Sequence, residues 1–458
     1  MKNNYISYFK ILILIFLSMS LAAKGALEEI VLEVDADIPL ISTYIEGITY
    51  ESSVIKEKHA KNIEEVIRFD FNYNGKTQVL NQKEVGGHQK NRSSQEWRSL
   101  GVAYVMRPAI RENYLTISVL STQEDKICYA EDMKLTGNLN FDRRLVHSFA
   151  YRFHKYAFDE EGIYYNKILY SFKNRDVSDE YYSSVSEEIY QCDFDGANSK
   201  QLTFENSHCV SPHPVVSKNG TQLDGFFYVS YKLGQPKIYW SKFDGERGLR
   251  LSYIPGNQFM PCMSKQGDKV LFINDAPGNP EVFMQDFKPG VGSFGKPRQV
   301  FACRRAVQSS PIFSPDGKNI AFVSDKDGPP KVYVMPVPKE GLSQQDLKPV
   351  LITRKNRENT KPSWSPDGTK MAYISKVDGV RQVWIYDFIT NKETQLTFDG
   401  SNKENPQWAF NSHHLVFNSV GANSCELYVV NLNQPNPVRL KMEKGIKRFP
   451  VWIKKESI

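Results

Sequence analysis

Residues Ser310-Pro-Ile-Phe-Ser-Pro-Asp-Gly-Lys-Asn-Ile-Ala-Phe-Val-Ser-Asp325 return fifty-one positions later as Lys361-Pro-Ser-Trp-Ser-Pro-Asp-Gly-Thr-Lys-Met-Ala-Tyr-Ile-Ser-Lys376. A repeat of that period is one supersecondary unit copied about an axis, each copy burying its apolar face against the next. Four segment types recur in fixed order. The first is a short strand led by proline, at Pro214, Pro261, Pro311, Pro362, Pro406 and Pro450, with spacings of 47, 50, 51, 44 and 44. The second is β-branched and aromatic, as in Ile320-Ala-Phe-Val323 and Met371-Ala-Tyr-Ile374. The third centres on an aromatic residue in alternation, as in Lys331-Val-Tyr333 and Gln382-Val-Trp384. The fourth is brief, as in Gln201-Leu-Thr203 and Gln395-Leu-Thr397.

Six copies of each segment predict a mostly β chain whose core is a six-bladed β-propeller of four-stranded blades. The first unit, starting at Ile168-Leu-Tyr-Ser-Phe172, lacks its leading segment, and the spare one is Phe449-Pro-Val-Trp-Ile453 at the far end. The last strand is therefore expected to complete the first blade and close the ring, leaving no open sheet edge. In Ser-Pro-Asp-Gly, Pro sets the turn, Asp favours its third position and Gly takes the positive φ that follows. That chemistry explains Asp316 and Asp367 better than calcium does, since one carboxylate per repeat falls short of six oxygen ligands.

The first 25 residues differ. Lys2 and Lys10 precede the apolar run Ile11 to Leu17 and the small residues Ser18 to Ala26. This is the pattern of a cleaved secretory signal, too short to span a bilayer. Losing Lys2, Lys10 and Lys24 lowers the formal charge from +6 to +3. So balanced a chain, with no basic stripe, gives no support for nucleic-acid binding. Residues 26–162 carry no repeat. Helical spacing over Ser52 to Phe71, a short helix at Gln95 to Leu100 and a long one at Phe141 to Phe158, with strands between, predict a small α/β domain. The propeller then covers 163–458.

Cys128, Cys192, Cys209, Cys262, Cys303 and Cys425 show no CxxC spacing, so buried thiols with room for one disulfide are expected. His147 and His154 share a stripe with Ala150 and Phe158 and read as structural histidines rather than zinc ligands. Enzymes also use such propellers. A peptidase of this type adds a hydrolase domain with a G-x-S-x-G elbow. Here Val291-Gly-Ser-Phe-Gly295 lacks the first Gly, and the chain ends after the closing strand. A metal-dependent lactonase needs carboxylates and amides converging on the channel. A propeller hydrolase of either kind stays the alternative to a binding protein.

The export signal, the small α/β domain, the blades at 310–330 and 361–399, Trp97-Arg-Ser-Leu-Gly101 and the end Arg448-Phe-Pro-Val-Trp452 together resemble the TolB family. These are periplasmic β-propeller proteins of the Tol–Pal system of Gram-negative bacteria. The resemblance implies a monomeric, non-catalytic adaptor without metal or cofactor, which supports outer-membrane integrity and envelope constriction at division. It implies that loops ahead of the proline-led strands bind Pal, a peptidoglycan-associated lipoprotein. Here those positions are His208, Asn257, Gln258, Gln308, Glu358, Asn359, Thr360, Asn402, Lys403, Glu404, Lys447 and Arg448. It further implies that the mature N-terminal segment engages the inner-membrane-anchored protein TolA, here through Leu27, Glu28, Ile30 and Leu32. Apolar alternation there suits strand addition to a partner's sheet edge.

Overall fold

The computed structural model describes residues 39–87, 92–174, 186–217, 222–245, 247–339, 346–422 and 424–454. The stretch expected to be a signal sequence, the residues Leu27, Glu28, Ile30 and Leu32, and residues 175–185 lie outside the described residues. The described residues fall into one compact unit.

Ahead of the repeats stands a mixed six-stranded sheet. Its strands are β1 (Ile41–Ile45), β2 (Thr49–Glu51), β3 (Thr77–Val79), β4 (Tyr104–Arg111), β5 (Tyr114–Ser121) and β6 (Lys126–Lys134). The order is β3-β1-β4-β5-β6, with β2 parallel to the far half of β4. Helix α1 (Glu57–Asn72) buries Ala60, Ile63, Val66, Ile67 and Phe71, a stripe at three- and four-residue spacing. Helix α2 (Ser94–Ser99) opens with a capping box between Ser93 and Glu96, which satisfies two of its free donors. Helix α3 (Leu139–Phe158) ends at Asp159, whose φ of 53° stops it. The three helices match the sequence reading to within two residues at either end, α1 apart, whose first turn begins five residues later than Ser52.

The repeats form five sheets. Four are separate and four-stranded, and their inner strands are Cys209–Val216, Gln258–Met263, Gln308–Phe313 and Asn359–Trp364. Adjacent sheets pack face to face. Leu271, Ile273 and Val282 of one, for example, share a core with Phe313, Ile320 and Phe322 of the next. The fifth sheet has eight strands and contains two four-strand runs, one starting at Asn402–Trp408 and the other at Ile446–Ile453. A single parallel pairing, Cys425 with Ile446, joins them. This differs from six separate sheets, because the closing strand lies close enough to the preceding run to share one bridge. The closing strand itself pairs antiparallel with Lys167–Lys173, from Ile446 opposite Lys173 to Ile453 opposite Lys167.

One correction concerns the repeat itself. Pro214 sits in the regular ladder opposite Phe226, and the counterpart of Pro261 and Pro311 is Pro212, inside the bulge between Val210 and His213. The Ser-Pro-Asp-Gly turns are built as turn chemistry requires. Asp316 accepts from the Ser314 hydroxyl and the Lys318 N–H (3.0 Å), and Asp367 accepts from the Ser365 hydroxyl (2.6 Å) and the Thr369 N–H (2.9 Å). Gly317 and Gly368 carry φ of 71° and 78°.

The apolar core does not stop where the repeats begin. Ile67, Phe71, Phe149 and Phe153 of the helices belong to one buried cluster with Tyr170, Phe194, Val416, Leu427 and Trp452 of the repeats. Polar links cross the same seam: the His414 ring meets the Tyr73 carbonyl at 2.9 Å, and Asn433 donates to the Gly75 carbonyl at 2.8 Å.

Gly225 marks a close backbone approach, since a Cβ there would lie 2.2 Å from the Ser241 carbonyl oxygen of the neighbouring strand. Gly225→Ala is expected to cost about 1–3 kcal/mol, the usual result of overpacking. Chemical denaturation measures it, and an unchanged midpoint would mean that the two strands part at no cost.

Candidate functional site

Each inner strand is interrupted by the same device. A residue of positive φ followed by proline forms a bulge, at Ser211, Met260, Ser310, Lys361, Asn405 and Phe449, with φ between 49° and 53°. Non-glycine residues rarely hold such values, and proline next in line restricts them further. The bulge shifts register by one residue and turns these side chains onto the channel. All six line a channel of about 1180 Å³ that runs on to the turns after the inner strands.

The twelve residues expected in loops sit at the opposite ends of those strands, and the structure divides them. Gln258, Gln308, Asn359, Lys403 and Lys447 are buried and begin inner strands or lie within their first two residues, so they are not loop residues. Their donor groups meet local carbonyls or carboxylates, while Gln308 Oε1 and Asn359 Oδ1 find no partner among the described residues. Gln258 donates to the Ser252 carbonyl (3.2 Å), Gln308 to that of Ala306 (3.3 Å) and Asn359 to that of Asn356 (3.0 Å). Lys403 pairs with Asp399, and Lys447 with Glu426 at 2.9 Å. Desolvation is the reason: the first strand residues are crowded, and a buried donor is costly without a partner.

The remainder are half-buried or exposed but mostly paired. Asn257 donates twice to Asp275 (2.6 and 2.7 Å), Asn402 accepts from the Arg381 N–H (2.9 Å), and Glu404 holds the Arg381 guanidinium (2.7 Å). Glu358 faces Lys376 at 3.6 Å, Arg448 faces Glu187 at 3.7 Å, and Thr360 pairs with Ile374 in the sheet. His208 is 52% exposed, 4.0 Å from Glu187.

Sequence reasoning passed over the most exposed apolar groups in these loops. Phe204, Tyr253 and Phe398 are 65%, 82% and 59% exposed. Their signal was present: each follows the fourth repeat segment, after Gln201-Leu-Thr203, Arg250-Leu-Ser252 and Gln395-Leu-Thr397. Solvent-facing aromatics at the same repeat position are the residue type that anchors protein interfaces.

Carboxylates near this end are saturated. Glu205 accepts from Tyr228 (2.7 Å), Ser230 and Lys232, while the Lys232 ammonium lies 3.8 Å from the Tyr239 ring centre. Burial would raise the Glu205 pKa, but those three donors hold it below the ordinary carboxylate value. Glu393 likewise accepts from Tyr373 (2.7 Å) and from the N–H groups of Arg354 and Lys355 (2.8 and 3.1 Å). In the channel, burial depresses the pKa of His213 to about 4, leaving a neutral imidazole, and lifts that of the Cys262 thiol to about 12. A thiol so shifted is no nucleophile at neutral pH. All six cysteines are unpaired. Among the described residues no three His, Cys, Asp or Glu side chains converge as a metal-ligand set, and no helix is long and apolar enough to cross a membrane.

The histidine stripe is corrected in one respect. His154 stays neutral, its pKa lowered to about 4 by burial. His147 has acidic partners that its own helix does not show. Its Nδ1 lies 2.8 Å from Asp70 of α1 and its Nε2 3.3 Å from Asp195 of a repeat turn, which also pairs with Arg143.

Residues 157–456 match a family model described as the TolB beta propeller domain. A curated relative, the TolB homolog of Protochlamydia amoebophila, is 42% identical over 413 residues, covering 88% of this chain and 87% of that one. The TolB homolog of Chlamydia abortus is 37% identical over 274 residues, 59% of this chain and 61% of its own length. Among solved structures, TolB from Acinetobacter baumannii superposes with a TM-score of 0.69 at 19% identity, over 90% of this chain and 96% of that one. At that identity the match speaks for the fold.

Proposed function

The chain belongs to the TolB β-propeller family, and on that premise we propose that it is an exported, non-catalytic adaptor of the Tol–Pal cell-envelope system. In this reading a periplasmic monomer binds the lipoprotein Pal at the propeller mouth and TolA through its N-terminal segment, in support of outer-membrane integrity and constriction at division. The eight-stranded sheet is read as two blades sharing one bridge, which makes a ring of six closed by the C-terminal strand, preceded by an α/β domain over 26–162.

The observation that supports an adaptor is the contrast at the mouth. Glu205, Glu358, Glu393 and Glu404 there are held by neighbouring donors, while Phe204, Tyr253 and Phe398 are exposed. Held carboxylates position loops, and exposed aromatic rings, Tyr253 with the Arg250 guanidinium 5.0 Å over it, supply contact area for a partner. His208, Glu358 and Arg448 would form the polar rim around them.

Pull-down from solubilised envelope tests this. The purified chain should capture Pal, and replacing Phe204, Tyr253 and Phe398 with alanine should weaken capture with the melting temperature unchanged. A hot-spot aromatic accounts for about 2 kcal/mol or more, on the order of 30-fold in Kd. Deleting residues 26–37 should spare Pal and abolish TolA binding. Absence of Pal from the captured fraction would sink the adaptor reading, and hydrolysis of a lactone or peptide panel would replace it.

A further inference from the structure

The channel has a second end, away from the loops that carry the proposed adaptor surface. It begins at the ring of bulges and opens beside turns such as Ser365 to Gly368 and Phe410 to His413. Five of the six bulge side chains, Ser211, Met260, Ser310, Asn405 and Phe449, are uncharged, and the sixth is Lys361. Its ammonium lies 5.8 Å from the Phe449 ring centre, and among the described residues no carboxylate, carbonyl or hydroxyl accepts from it. Glu404 faces it electrostatically but is already held by Arg381 at 2.7 Å. Burial depresses the Lys361 pKa, and the Glu404 charge offsets part of that.

The remaining charged groups of the lining are engaged or peripheral. Glu161 pairs with Lys454 at 3.0 Å, Asp367 is held in its turn by Ser365 and Thr369, and Lys265 is exposed at the rim. An ammonium that lines the channel among uncharged side chains, with no protein acceptor among the described residues, leaves its charge for a ligand to complete. We propose that this end of the channel takes a carboxylate ligand, with Lys361 as its counter-ion. One ammonium in neutral surroundings balances one negative charge, which favours a carboxylate over a phosphate dianion. The channel volume admits a peptide terminus as well as a small free acid.

The site is independent of Pal capture, so either idea can fail without the other. Asn405 occupies the same bulge position in the next repeat at φ 52°, against 53° for Lys361. Lys361→Asn therefore puts in a residue this backbone already accepts. Calorimetric titration of the whole chain would use N-acetyl-trialanine with a free carboxylate, the same peptide as its amide, sodium acetate and inorganic phosphate. The free acid should bind at least about tenfold more tightly than the amide. Lys361→Asn should erase that difference with an unchanged melting temperature, and Lys361→Arg should restore it. Acetate competing as well as the peptide would assign a small acid as the source of the carboxylate, and weaker competition would assign a chain terminus. Equal binding of acid and amide, a difference that survives in Lys361→Asn, displacement by phosphate at equal concentration, or no saturable binding would each overturn the proposal.

Discussion

Replacing Trp452 with alanine should lower the free energy of unfolding by about 3–5 kcal/mol, a large share of the stability of an ordinary domain. Trp452 is 2% exposed and lies on the closing strand opposite Ile168, within the cluster that includes Phe71 and Phe153 of the helices. Removing it opens a cavity where the ring ends meet and where the mixed sheet's helices pack. Its indole N–H has no partner among the described residues. Trp452→Phe should therefore cost less than the alanine, since it forfeits volume but no hydrogen bond. Deleting residues 446–458 goes further and strips the pairing from Lys167–Lys173. Urea and thermal unfolding followed by tryptophan fluorescence measure all three. A truncated chain that melts with the midpoint and cooperativity of the full one would refute closure as the source of stability.

The second large effect lies in the buried Asp70–His147–Asp195–Arg143 cluster. Asp195→Ala should cost about 3–5 kcal/mol, because it leaves two cations in the interior short of a counter-charge. The cluster should also set the alkaline limit of stability. Burial alone would lower the His147 pKa, but the Asp70 and Asp195 charges and the Nδ1 hydrogen bond to Asp70 raise it from 6.5 to about 10. Asp195 moves the other way. Burial would raise it, yet the His147 and Arg143 charges hold it far below the usual carboxylate range.

The folded state therefore keeps a proton on His147 that the unfolded chain releases near pH 6.5. That contribution is complete below pH 6.5 and is lost as pH rises through about 10. Over that window stability should fall by at most about 1.4 kcal/mol per pH unit. Denaturant titrations between pH 6 and 10 read the slope, and His147→Gln should flatten it. A slope that survives the substitution would place the proton elsewhere.

The parts of this fold that the sequence revealed are those governed by local chemistry. Turn residues such as Asp316-Gly317, the aromatic alternation in the second and third strands and the apolar stripe of α1 depend on neighbours a few positions away. The spare strand at Phe449 to Ile453 was legible because a count must balance. The bulges were not, since a bulge is a relation between two strands, and without the partner register Pro214 looked like a better match than Pro212. For the same reason Gln258 and Lys403 read as loop residues although they are buried, and the partners of His147 were invisible from its own helix. The channel ring is the extreme case. Its six members lie 44 to 51 residues apart in sequence and become one feature only when the ring is built.

The pairing of Ile446–Ile453 with Lys167–Lys173 also fixes a schedule. A chain made from its N-terminus has nearly three hundred residues still to come when the first of these strands appears. Until the final residues emerge, that strand offers an unpaired edge, and the helices packed around Trp452 lack part of their core. Contacts this distant in sequence form slowly, and species that wait for them are open to mispairing. The ring thus carries its own test of completeness, for a chain cut short by even a dozen residues exposes the surfaces that chaperones and proteases recognise.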